Sequence, residues 1–102
     1  MATKHEIDKI IIEKLNDHKV TLSEKFHVES LSVFGSVSRG TAGPDSDLDV
    51  LVRYKKTPGF FTFLELKQYL ETMTGRRVDL VTEGALKKQL RETILQEAVR
   101  VV

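Results

Sequence analysis

The sequence predicts an α/β (α+β) domain, a small mixed β-sheet of about three strands packed with helices. Three observations lead there: apolar residues recur at helical spacing in the N-terminal third, short β-branched runs recur in the middle, and Gly, Pro and Asp separate the segments. At 102 residues the chain has room for one core and no second lobe, so residues 1–102 read as a single domain. Strands alternating with helices around one core make a layered sandwich.

In chain order, Ile7, Ile10, Ile11 and Leu15 share a helical face and a further amphipathic turn or two carries Leu22 and Phe26, which makes 1–27 a helical N-terminal segment and 30–99 the core. SLSVF (30–34), LDVLVRY (48–54) and RRVDLV (76–81) read as strands, each short and rich in β-branched or apolar residues. A helix is expected between the last two. Thr62 with Glu65 three residues on matches a capping box, Phe63, Leu66, Leu70 and Met73 share a face, and Gly75 supplies the stop. Phe60 and Phe61 read first as core anchors before that helix, with an exposed partner-binding pair as the other reading. A last helix carries Leu86, Leu90 and Ile94 and runs into AVRVV (98–102), which can complete the sheet, end as a frayed helix or add a strand to another chain.

Composition narrows the function. With 40% hydrophobic and 30% charged residues the chain is neither disordered nor membrane-spanning, and no apolar run approaches the ~20 residues of a bilayer crossing. MATKHEIDKI lacks the apolar core of a signal peptide and cysteine is absent, so a cytoplasmic location is expected. Lys+Arg 16 against Asp+Glu 15 leaves a net charge of +1, which argues against a dedicated nucleic-acid binder. A polyanion would have to be met locally.

The chemistry concentrates in VFGSVSRGTAGPDSDLDVLVRY (33–54). Period-two alternation puts Leu48, Val50 and Val52 on one face of their strand and Asp47, Asp49, Leu51 and Arg53 on the other. Both carboxylates then point away from the core, with Cα atoms about 6.5–7 Å apart, close enough to converge on one or two cations. In the next strand Arg77, Asp79 and Val81 share a face, so a neighbouring strand can bring Asp79 beside the pair. Hard oxygen ligands without cysteine favour Mg²⁺, with Mn²⁺ as the alternative, over zinc. A solvated turn is the plain alternative for GPDSD. An EF-hand also starts with Asp45, Asp47 and Asp49, but Val50 stands where its Gly belongs and Lys56 where its bidentate Glu belongs.

Upstream, Gly35 and Ser36 stand where a strand ends, a place where backbone N–H groups and a hydroxyl can hold phosphate. Gly40 and Gly43 suit the turn, and neither a P-loop nor a dinucleotide fingerprint is present. Arg53 and Arg77 fall on the carboxylate face, to neutralise phosphate or to pair with an Asp, while Arg76 and the Lys87–Lys88 pair read as surface cations. Tyr54 has no evident role and Tyr69 reads as packing.

Gly-Ser, a spacer of ten, then Asp-x-Asp, as in GSVSRGTAGPDSDLDVLV, resembles the signature of the minimal nucleotidyltransferase family within the DNA polymerase beta-like superfamily. GRRVDLV supplies the third carboxylate, and the likeness runs over roughly 28–99. What the resemblance implies is a polymerase beta-like fold that binds ATP with two Mg²⁺ ions: Gly35, Ser36 and Arg39 on the nucleotide, Asp47 and Asp49 holding the metals, and Asp79 sharing the catalytic one. It further implies an antitoxin that transfers AMP to a tyrosine of a HEPN-domain toxin and forms a hetero-oligomer with it. Two rivals stay open: a non-catalytic nucleotide-binding module that neutralises a partner by contact, and a small-molecule (aminoglycoside-like) nucleotidyltransferase.

Overall fold

The computed structural model describes residues 4–35, 47–86 and 88–102, with the side chains of 4–8, 88 and 89 set aside. The N-terminal apolar spacing builds two helices, α1 (Lys4–Asp17) and α2 (Lys19–Phe26), separated at His18. Ile11, Leu15, Leu22 and Phe26 are buried along them. His27 ends α2 in the left-handed conformation (φ 58°), its N–H donating to the Leu22 carbonyl, and the chain turns directly into a strand.

Four strands form one mixed sheet in the order β3-β2-β1-β4: β1 (Val28–Phe34), β2 (Leu48–Tyr54), β3 (Val78–Thr82) and β4 (Val99–Arg100). β1 pairs antiparallel with β2 and β4, whereas β2 and β3 run parallel. A parallel pair needs a crossover, which is α3 (Phe60–Thr74). The register of β1 on β2 slips between Val28 and Ser30, a bulge at Glu29 that lets Val28 join Leu31 and Val33 in the core.

One face of the sheet carries that core: Leu31, Val33, Leu48, Val50, Val52, Val78 and Leu80 pack with the α1 and α2 residues and with Leu66 and Leu70 of α3. Tyr69 packs on Phe26 with centroids 5.1 Å apart and its hydroxyl lies 2.8 Å from His18 Nδ1, so its packing role ties α3 to the first two helices. The opposite face carries Ser30, Ser32, Asp49, Leu51, Arg53 and Asp79, with α4 (Lys88–Glu97) beside it.

Four expectations need correction. The sheet has four strands rather than about three: the tail supplies β4, and Val101, 5% exposed, enters the core with its N–H donating to the Leu31 carbonyl at 2.9 Å. α3 starts two residues before Thr62, with Gly59 as an N-cap that makes no side-chain bond, so Thr62 and Glu65 form no capping box. Phe60 and Phe61 are 70% and 76% exposed, packed edge-to-face on one another and not in the core. Leu86 precedes the last helix, closing a 3₁₀ turn at Glu83–Ala85, and Leu90 is 56% exposed. Gly75 does end α3, at φ 70° with its N–H on the Glu71 carbonyl. No described helix is long and apolar enough to cross a membrane.

Candidate active site

The parallel ladder of β2 and β3 sets Asp49 directly opposite Asp79. Neighbouring strands lie about 4.8 Å apart, and residues in register share a face, so both carboxylates rise side by side from the face opposite the core. The sequence builds this geometry by flanking each Asp with core residues. Leu48 and Val50 are fully buried around Asp49, and Val78 and Leu80 are buried around Asp79. Two backbone links fix the strand starts: Leu48 N–H donates to the Arg77 carbonyl at 2.8 Å and Val78 N–H to the Glu71 carboxylate at 3.0 Å.

Asp49 also faces Phe34 across the β1–β2 ladder, and the next residue, Gly35, turns the chain at φ +69°. A Cβ built there would stand 2.2 Å from Asp49 Oδ2. Glycine is therefore required twice over, for a left-handed backbone and for room beside the carboxylate. Gly35 and Asp49 are thus joined in one contact although thirteen residues separate them in the sequence.

Asp47 lies just before β2, exposed, with its Oδ1 3.4 Å from Arg77 Nε. Among the described residues no three His, Cys, Asp or Glu side chains already form a metal-holding cluster. Ser36, Arg39, Gly40, Gly43 and Asp45 lie outside the described residues.

Residues 15–101 match the family model of the nucleotidyltransferase domain. The chain belongs to that family. This nucleotidyltransferase is 45% identical over 101 residues to the protein adenylyltransferase MntA of Thermococcus cleftensis, covering 99% of this chain and 98% of the relative. A solved chain assigned as a minimal nucleotidyltransferase superposes with a TM-score of 0.73 at 38% identity, over 86% of this chain and 93% of the other. A chain from the complex of a tri-AMPylated Shewanella oneidensis HEPN toxin with its MNT antitoxin superposes at 0.62, over 88% of this chain and 71% of the other. Its 22% identity makes that likeness one of fold.

The nucleotidyltransferase carries one arrangement on the carboxylate face that strand parity foretold only in part. Arg53 donates from Nε to Glu83 Oε2 at 2.9 Å, and its Nη2 reaches the same oxygen. Arg91 Nη2 of α4 donates to the other oxygen, Oε1, at 2.9 Å. Both arginines hold the Glu83 carboxyl below the usual carboxylate range, Arg53 contributing most, and Glu83 in turn raises the Arg53 guanidinium. Parity gave the face of Arg53, and the structure gives it Glu83 as its protein partner. Glu83 had no periodic signal, since it sits in a 3₁₀ turn beyond the end of β3.

Proposed function

We propose that this nucleotidyltransferase transfers AMP from ATP, with Mg²⁺, to a tyrosine hydroxyl of a HEPN-domain toxin, and that it acts as that toxin's antitoxin. The observation that carries the chemistry is the pairing of Asp49 with Asp79 in one ladder while Gly35 packs on Asp49. That puts paired hard oxygens within a few ångströms of Gly35, the residue that this reading sets against the triphosphate. The relatives support a protein acceptor of this kind: one is named a protein adenylyltransferase, and a structural neighbour comes from an AMPylated toxin with its antitoxin.

The donor set suits a hard divalent ion. Asp49 and Asp79 would supply two of the carboxylates, and Asp47, paired with Arg77, a third. Both partners of that pair are largely exposed (83% and 54%), so the pair is worth about 0–1 kcal/mol, little against the attraction of a divalent cation. In this reading Asp47 and Asp49 hold the metals and Asp79 shares the catalytic one. Bound Mg²⁺ would neutralise charge on the triphosphate and lower the cost of developing charge in an in-line displacement. Gly35, Ser36 and Arg39 would cradle the phosphates, Gly35 by allowing close backbone approach. Asp79 would orient the acceptor hydroxyl and draw on its proton. The oxygen–α-phosphorus bond then forms as the bond to pyrophosphate breaks.

Label transfer from α-phosphate-labelled ATP tests the proposal, with a HEPN-domain protein from the same host as acceptor. Wild type is expected to label a tyrosine and Asp49→Asn to lose roughly a hundredfold or more of the rate. If both proteins neutralise the toxin equally and neither labels it, the contact-only module is the correct reading instead.

A further inference from the structure

Beside the carboxylates, on the same face of the sheet, lies a cleft of about 210 Å³ between the sheet and α4. Its floor is Ser30, Ser32 and Leu51, and its far wall is Leu95 and Ala98. We infer that this cleft receives the acceptor: a hydroxyl-bearing segment of the protein substrate enters between α4 and the sheet and presents its hydroxyl to Asp49 and Asp79. The inference rests on the function proposed above.

Direction carries the argument. In an in-line displacement the attacking oxygen approaches opposite the leaving pyrophosphate. In that reading the triphosphate lies against the turn that begins at Gly35, beyond the upper end of β1 and beside Asp49. The cleft starts on the other side of that row. Leu51 is two residues along β2 from Asp49 on the same face, about 6.6–7 Å away, and Ser32 pairs with it across the ladder. A chain lying along α4 can thus extend one side chain up the sheet to the carboxylate row.

Three other cavities among the described residues are placed differently. One lies along α2 near Lys55, another beside Thr57 and Pro58 past the far end of β2, and a third on α2 and α3. The cleft itself is rimmed by Arg100 and by Arg53 with its partner Glu83. Its described lining offers hydroxyls for polar main chain and an apolar wall, and no aromatic plane on which a base would stack.

Glu83 acts here as a positioning residue. None of the described side chains of α4 is buried, and the Arg53–Glu83–Arg91 bridge is a polar tie between that helix and the sheet.

Steady-state transfer to the HEPN-domain protein tests this, alongside ATP titration and thermal melts. Ala98→Phe, which fills the cleft, is expected to raise the KM for the acceptor by about tenfold or more while the Kd for Mg-ATP stays within about twofold. Glu83→Gln should raise the same KM, with Glu83→Asp restoring part of it and the melting temperature nearly unmoved. An unchanged acceptor KM in Ala98→Phe would overturn the inference. A parallel loss of ATP affinity would also overturn it, by showing that the cleft takes the nucleoside. A separate measurement uses the Asp49→Asn protein in complex with the toxin: hydrogen exchange at 94–98 should slow on binding. That slowing, together with a wild-type protein that also leaves the toxin unlabelled, would fail the proposed activity and leave the docking cleft standing, whereas unslowed exchange would remove the cleft.

Discussion

At the scale of single residues the site depends on Gly35. Gly35→Ala forces a side chain into a left-handed backbone at about 1–2 kcal/mol and drives its Cβ onto Asp49 Oδ2. Transfer should fall roughly a hundredfold, a larger loss than the stability change alone explains. A chemical melt and a label-transfer assay on the same preparation separate the two effects. Tyr54 makes the opposite case. Its hydroxyl is buried without a hydrogen-bond partner, and burial pushes the phenol up to about 12 from 10.0. Because the folded-state value is raised, this group's contribution to stability is complete below pH ~10 and is lost as pH rises from there towards 12. Tyr54→Phe should therefore flatten the alkaline end of the stability profile. At neutral pH it should leave stability equal or up to about 1 kcal/mol higher. Urea melts from pH 8 upward check both.

Among elements, the strands that carry carboxylates were the most legible. Alternation in LDVLVRY fixed which face Asp49 takes, and the same period in RRVDLV predicted Asp79 as its neighbour, as the ladder has it. β4 was harder, because a two-residue strand has no period to read. The start of α3 misled for a different reason: Gly59 caps through backbone freedom, so the matching spacing of Thr62 and Glu65 inside the helix carried no signal. Arg77 shows the limit of parity, which assigns a face and leaves open whether phosphate or Asp47 is met there. The two elements of greatest mechanical contrast are α3 and α4. Leu66 and Leu70 are fully buried on α3, and Leu66→Ala should cost about 2–5 kcal/mol by equilibrium unfolding. α4 leans on Glu83. That carboxyl is depressed by its arginines, so the tie's contribution to stability is complete above the ordinary carboxylate range and is lost as pH falls below that range through the lowered value. The hydrogen-exchange protection factors of amides along 90–97 should fall in acid before those of the rest of the fold.

For the molecule as a whole, the exposed apolar groups fall in separate places. Phe60 and Phe61 sit where α3 begins, past the far end of β2, whose last residue, Tyr54, is five residues or about 17 Å along the strand from Asp49. Leu90, Leu95 and Val99 lie along α4 and β4 instead, next to the carboxylate face. Phe60→Ser with Phe61→Ser should accordingly leave label transfer within about twofold while improving solubility, read from turnover and from static light scattering. The core is also closed across the whole chain. Val101 is buried against β1, and its carbonyl accepts from Asn16 Nδ2 of α1 at 2.8 Å, across 85 positions of sequence.

That last contact sets a schedule for synthesis. Ribosomes add about 5–20 residues per second. α1, α2 and the first strands are therefore made seconds before the residue that closes their sheet edge. Until position 101 clears the ribosome, β1 shows an open edge and the pocket for Val101 is unfilled. The nascent chain spends that interval with a pairing surface on offer, and the sheet is complete only once β4 and Val101 have joined it.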